Sequence, residues 1–484
     1  MVSALEWFKK KFSPRAFTRM ALVLCGVWFL AEYPALHWFC PYQLDDSMAS
    51  NFPCDYGQYY TGALAAKTGM WDCLYPIPRA DVYNNPPQFT PVYKTFLFAA
   101  QNRNGKACWP PSIASPKASY IAPKLLRQHP NLISDAYWHY MYPPPLALVL
   151  WPLAFWDYDT GAHHLWPTLT IAAFFGIAFF SMRMHRLLRG KASYAEGWIA
   201  VALLLFSFSS HTSVEYGNVT PILGFLIAFA AYGWMRGWQI GVGTAMIPLL
   251  LFKGIGLTWC PLLLLKRIRW KTLLTLAFFT VLLNGIVLSL AGAGVYRQYF
   301  TEILPRLQTP IGSGVVAGML RLFGVYPGKF YLVLNLTLCG LLYYGYWRGR
   351  NAKEGAARCS VVAATLAGTV AVFCLLNIAV WDHYFPSYLY FPFLGWLAWE
   401  GEQARGKWRS AIISGTLICF VVTACDWMIM KALIRFFGEA GWGAFTALIS
   451  IPCFAFFFPA FFLIVVFRRL YAMPPVILLD DREE

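Results

Sequence analysis

The feature that most limits what this chain can become is a series of long apolar runs. Ala21–Cys40, Thr272–Ala293, Val361–Val380 and Ala444–Phe467 each hold about 18 or more residues with almost no charge, the length an α-helix needs to cross a bilayer. Only 13% of the 484 residues are charged and 58% are hydrophobic, where a soluble domain carries about 25% charged residues. The expected fold class is therefore an all-α polytopic membrane protein, since in lipid the backbone polar groups must be satisfied within each helix. The first apolar run is read as a first span and not as a cleavable leader, because it is long and no small-residue cleavage motif follows it.

The net charge of +16 does not point to nucleic acid. Lys and Arg gather in short segments between the apolar runs: Lys9–Arg19, Arg183–Lys191, Arg236, Lys266–Lys271, Arg348–Arg358, Arg405–Arg409 and Arg468–Arg469. This is the positive-inside pattern. With these segments on the cytoplasmic side, about ten full crossings follow, near 20–39, 161–182, 194–210, 218–234, 272–293, 327–346, 359–380, 385–400, 410–430 and 445–467. Both termini are then cytoplasmic. Residues 144–156 are too short to cross and are expected to form a half-helix. Residues 240–265 begin and end at basic segments, so they should enter and return as two short helices with Lys253 near the junction. Counting such pieces as spans would raise the total to as many as thirteen.

The acidic and histidine-bearing loops then fall on the opposite face: 41–143, His211–Asn218, Gly294–Gly324 and Trp381–His383. The chain is read as one integral membrane domain over 1–484. Within it lie a long extracytoplasmic loop (41–143), a bundle carrying most motifs (144–400) and C-terminal spans with a cytoplasmic tail (401–484). Cys40, Cys54, Cys73 and Cys108 lie in or at the edge of the long loop, where an oxidising compartment would permit disulfides. Three pairings are open. The other eight cysteines sit in spans and read as small apolar residues.

Six segments carry groups suited to chemistry. Asp55 opens a short amphipathic helix after the first span. With Gln58 three residues on it reads as a capping box, or as a general base held ionised at a helix start. Tyr142-Pro143-Pro144 starts the half-helix and would shape a groove wall. Glu215 and Asn218 occupy a tight turn between spans, where Asn218 could equally cap a helix. Lys253 stands in an apolar run and must meet an anion or snorkel. Ser313 and Arg321 lie in an outer loop, and Arg is suited to bidentate contact with phosphate. Asp382 and His383 fall in a very short gap between spans, either as interfacial residues among Trp381, Tyr384 and Tyr388 or as a ligand-binding pair.

In their order and spacing these segments resemble glycosyltransferase family 87, polytopic enzymes that include polyprenyl-phosphate-mannose-dependent mannosyltransferases. The resemblance runs over about residues 50–400. It rests on Asp55 with Tyr59 and Tyr60, Tyr142-Pro143-Pro144, Glu215-Tyr216-Gly217-Asn218, Lys253 with Pro261, Ser313 with Arg321, and Trp381-Asp382-His383. It implies a C-type glycosyltransferase helix bundle and an inverting transfer of a sugar, mannose as first guess, from a polyprenyl-phosphate donor to a lipid or glycan hydroxyl. Asp55 would be the base. His383, Asp382, Lys253, Arg321, Glu215 and Asn218 would serve the donor phosphate and sugar, and Tyr59, Tyr60 and Tyr142 the acceptor or groove. The expected setting is the plasma (inner) membrane, with the site on its extracytoplasmic side and membrane lipids as neighbours. No metal or other cofactor is expected, because cationic side chains can neutralise the leaving phosphate. Two other readings remain at this level. A lipid-linked-sugar flippase would show inverted repeats, and none is evident. An O-antigen-ligase-like enzyme would place its chemistry in a different outer loop.

Overall fold

The computed structural model describes residues 12–39, 54–75, 142–157, 160–205, 217–264, 269–304, 328–349, 355–376, 386–438 and 457–471, with 77–78, 100–101 and positions 104, 108, 140, 440, 444, 448 and 453. These residues are helical apart from one minimal antiparallel pairing, β1 (Ile77–Pro78) with β2 (Ala100–Gln101). Beside it Cys73 is joined to Cys108, which selects one pairing for these two cysteines.

The helices are α1 (Pro14–Phe39), α2 (Cys54–Thr68), α3 (Pro144–Leu150), α4 (Trp166–Arg189), α5 (Tyr194–Leu205), α6 (Thr220–Arg236), α7 (Gln239–Lys253) and α8 (Cys260–Leu264). They continue as α9 (Trp270–Ala291), α10 (Gly294–Gln298), α11 (Gly328–Gly349), α12 (Ala356–Leu376), α13 (Phe391–Gln403), α14 (Gly406–Phe437) and α15 (Phe458–Tyr471). Proline stands at the first or second position of α3, α4, α6 and α13, where its missing N–H has no helical partner to lose. Single π-helical turns lead into α4 (Gly161–Leu165) and α13 (Pro386–Tyr390).

Three helices among the described residues are long and apolar enough to cross a membrane: Trp166–Arg189, Trp270–Ala291 and Ala356–Leu375. Each of the other seven expected crossings also contains a helix. The apolar runs do not all have the same neighbours. In α12, 83% of the apolar window is buried against protein, whereas in α9 it is 6%, so α12 is central and α9 stands at the periphery. Val281, Phe278 and Leu290 of α9 face outward, as lipid-facing residues do.

The half-helix and the hairpin are both present. α3 stops after seven residues and tightens into a 3-10 turn, Trp151–Phe155. α7 ends at Lys253, and Gly254 reverses the chain with φ +70, a conformation that strains any residue with a Cβ. The 3-10 turn Ile255–Trp259 and α8 bring the chain back, held by the Trp259 indole on Thr369 Oγ1 (3.0 Å) and by Tyr343 Oη on the Thr258 carbonyl (2.7 Å).

The basic segments meet at one end of the bundle. Arg186 pairs with Glu196 and Arg189 with Glu402. Arg468 and Arg469 lie 3.7 and 3.4 Å from Glu400, which also accepts a hydrogen bond from Ser360 (2.7 Å). Arg348 covers the ring of Tyr471, and Tyr194 donates to the Phe12 carbonyl. Residues 12 and 471 therefore lie at the same end. The expected sorting concerned loops; carboxylates borne by helices do lie at this arginine end, where Glu196 and Glu400 are buried and Glu402 lies with them. The arginines converge where the helices end, and carboxylates on the helices relieve their repulsion.

Candidate active site

α2 is not the amphipathic helix its sequence led us to expect. Tyr56 through Ala65 are all buried, the polar Gln58 and Thr61 among them, so the helix presents no solvent-facing side over this stretch. α3 and its following turn cover it, joined by hydrogen bonds from Tyr60 Oη to the Trp156 carbonyl (3.0 Å) and from Lys67 Nζ to the Ala154 carbonyl (2.7 Å). On the side toward α4, Gly161 lets Tyr56 approach: a Cβ there would fall 1.9 Å from the tyrosine hydroxyl. Asp55 is the second residue of α2 and not its cap. Its backbone is described and its side chain is not.

Tyr59 is the meeting point. Its ring lies 5.6 Å from Tyr142, 5.1 Å from Trp166 and 5.6 Å from Phe252. Its hydroxyl accepts the Val219 N–H (3.3 Å) and the Tyr142 hydroxyl (3.4 Å). Four of the six segments singled out in the sequence thus converge. α2 brings Asp55, one helical turn before Tyr59. The Tyr-Pro-Pro segment brings Tyr142. The Gly217-Asn218 turn brings Val219. The hairpin tip brings Phe252, next to Lys253. Tyr142 is held in turn by Tyr75, whose hydroxyl donates to its carbonyl at 2.8 Å.

Asn218 is buried and its Oδ1 accepts both the Thr220 N–H (2.8 Å) and the Thr220 hydroxyl. The Asn218 side chain thus closes the turn that leads into α6, where Val219 is the cap residue. Tyr59, Tyr60 and Tyr142 are likewise buried, and their hydroxyls reach backbone or one another. Glu215, Ser313, Arg321, Asp382 and His383 lie outside the described residues. The π-helical turn just after His383 is described and packs on α6.

Sequence reasoning passed over two residues of this cluster, Trp166 and Phe252. Both are apolar aromatic side chains in apolar stretches, a kind of residue that gives no chemical signal of its own even with Lys253 and His164 nearby. Trp166 opens α4 beside the π-helical turn, and such turns recur at functional sites. Its buried indole N–H has no hydrogen-bond partner among the described residues.

The cluster lies far from the arginine end. α4 runs from Trp166 to the paired Arg186 and Arg189, α6 from Val219 to Arg236, and α7 back to Phe252. At about 1.5 Å per residue these helices separate the two ends by roughly 20–35 Å. A groove of about 600 Å³ is lined by Trp71, Asp72, Asn104, Arg297, Gln298 and Glu302 among others. It is tied to the cluster through Gln298, which donates to the Tyr75 carbonyl (3.1 Å).

No curated protein and no solved structure matches this chain. The family model described as Glycosyltransferase family 87 matches residues 140–381, half of the chain. The matched stretch holds the Tyr-Pro-Pro segment, the Asn218 turn, the Lys253 hairpin and Trp381. α2 with Asp55 precedes it, and Asp382 and His383 follow it directly. The matched elements are the same ones that pack around Tyr59, and the chain belongs to glycosyltransferase family 87.

Proposed function

We propose that this membrane glycosyltransferase moves a sugar, mannose as the first candidate, from a polyprenyl-phosphate donor to a hydroxyl of a lipid or glycan acceptor. The observation that carries this reading is the convergence at Tyr59. It brings the start of the Asp55 helix and the Lys253 hairpin tip to one place, remote from the arginine end. A carboxylate beside a cation is what such a displacement needs. The acceptor oxygen bonds to the anomeric carbon, its proton passes to the Asp55 carboxylate, and the bond from that carbon to the phosphate oxygen breaks. The leaving group is polyprenyl phosphate, and a single displacement inverts the anomeric centre. Lys253, Arg321 and His383 neutralise the charge that grows on the phosphate, with Asp382 and Glu215 as further donor contacts, so the reaction is read as metal-independent. The acceptor approaches along the groove beside Trp71. Tyr59, Tyr60, Tyr142 and Asn218 act as positioning residues.

With the arginine end in the cytoplasm, the bundle makes about ten crossings of the plasma (inner) membrane. Both termini are then cytoplasmic and the site faces the extracytoplasmic side. The test is transfer by purified protein from polyprenyl-phosphate sugars, comparing wild type with Asp55→Asn. The amide keeps the size of the side chain and cannot take the proton. Transfer is expected to fall by at least about 10²-fold while donor binding persists. An Asn variant that transfers at the wild-type rate removes Asp55 as the base.

A further inference from the structure

A second cavity, of about 520 Å³, opens at the arginine end, and Arg236, Arg269 and Arg358 line it together with Trp234, Gln239 and Tyr346 among others. Four other arginines at that end have carboxylate partners: Arg186 has Glu196, Arg189 has Glu402, and Arg468 and Arg469 share Glu400. The described lining of this cavity contains three guanidinium groups and no carboxylate.

The side chains are prepared for an acceptor. Arg269 lies flat over the Trp234 indole (4.9 Å) and spends Nη2 on the Trp234 carbonyl (3.0 Å). Among the described residues its Nη1 is buried without a hydrogen-bond partner, and a buried unsatisfied donor of a charged group is costly. Burial, with the charge of Arg358 adding to it, lowers the pKa of Arg269, a penalty that an anion would relieve.

Three helices also start here: α7 at Gln239, α9 just after Arg269, and α12 just after Gly355. None carries an acidic residue in its first turn. Their positive dipole ends therefore add to the guanidinium charge. Around the cavity, Trp238, Ile240 and Trp270 are exposed, the side chains expected where a helix bundle meets the membrane interface.

We propose that this cavity binds a phosphate-bearing anion, a lipid phosphodiester headgroup or free phosphate, at the end of the bundle opposite the transfer site. Two or three guanidinium groups would grip the phosphate oxygens, and for a lipid the acyl chains would lie against the exposed apolar residues of α7 and α9.

The test uses the full-length protein, delipidated in detergent. Binding is followed by native mass spectrometry and by thermal stability with phosphatidylglycerol, phosphatidylcholine or inorganic phosphate. Variants are Arg236→Gln with Arg358→Gln, which spares the packed Arg269, and Arg409→Gln, an exposed arginine outside the cavity. One phosphatidylglycerol or one phosphate per chain should bind. The double variant should weaken this at least about tenfold and Arg409→Gln should leave it unchanged. Stabilisation by phosphatidylglycerol alone assigns a lipid, and equal stabilisation by inorganic phosphate assigns a soluble anion. Equal retention of both lipids with no response to phosphate, or binding the same in the double variant as in wild type, overturns the proposal.

Discussion

Tyr59→Phe removes one oxygen and keeps the ring, so it isolates what the Tyr59 hydroxyl does at the junction of four segments. Two hydrogen bonds are lost, from the Val219 N–H at 3.3 Å and from the Tyr142 hydroxyl at 3.4 Å. Val219 is 1% exposed, so its N–H is left buried without this acceptor. Stranding a buried donor costs about 1–3 kcal/mol, and both bonds are longer than the usual value near 3.0 Å, which places the loss near 1–2 kcal/mol. The ring contacts with Tyr142, Trp166 and Phe252 remain, so no cavity cost is added. Unfolding in SDS followed by circular dichroism should show this loss, a factor of roughly 5–30 in the folded-to-unfolded ratio. Because Asp55 sits one turn before Tyr59, loosening the joint should also slow transfer by about tenfold, as small misplacements of a catalytic group do. An unchanged unfolding curve would refute the account of the hydroxyl as a structural joint. Lost stability with an unchanged transfer rate would refute its link to the site.

Three other outcomes are expected. His383→Ala should raise the dissociation constant for the polyprenyl-phosphate donor by about tenfold or more, measured with a fluorescent donor analogue, and an unchanged constant would assign His383 to the membrane interface. Dialysis against a chelator should leave the transfer rate unaltered, and a loss restored by a divalent cation would end the metal-independent reading. Glu400→Ala should destabilise the arginine end by about 3 kcal/mol in SDS unfolding, since it strands Arg468, Arg469 and Ser360 around a carboxylate that is 1% exposed. Unchanged stability would mean that these ion pairs contribute nothing.

Much of the architecture was legible in local pattern. Long apolar runs required helices, because a backbone in lipid has no other way to satisfy itself. Prolines 143–145 announced the start of a short helix, and Lys253 before Gly254 announced a reversal. The order of the six motifs pointed to the family that half of the chain then matched. These features depend on neighbours along the chain, which sequence displays directly.

Other features depended on neighbours in space. Nothing in composition separates α12, enclosed by protein, from α9 at the periphery, since protein-facing and lipid-facing surfaces of a span are both apolar. The same ambiguity hid the all-round burial of α2 and the parts played by Trp166 and Phe252. Which cysteine pairs with Cys73 was decided where two segments outside the α-helices meet, and which carboxylate answers each arginine by helix packing, as Glu400 with Arg469 shows across 69 positions of chain. Pattern along the chain was enough to indicate a helical membrane protein and the glycosyltransferase family that the match then supported. Only the tertiary structure decided that four of those segments meet on one tyrosine and that three arginines share a cavity at the far end, because both are products of side-chain packing between distant helices.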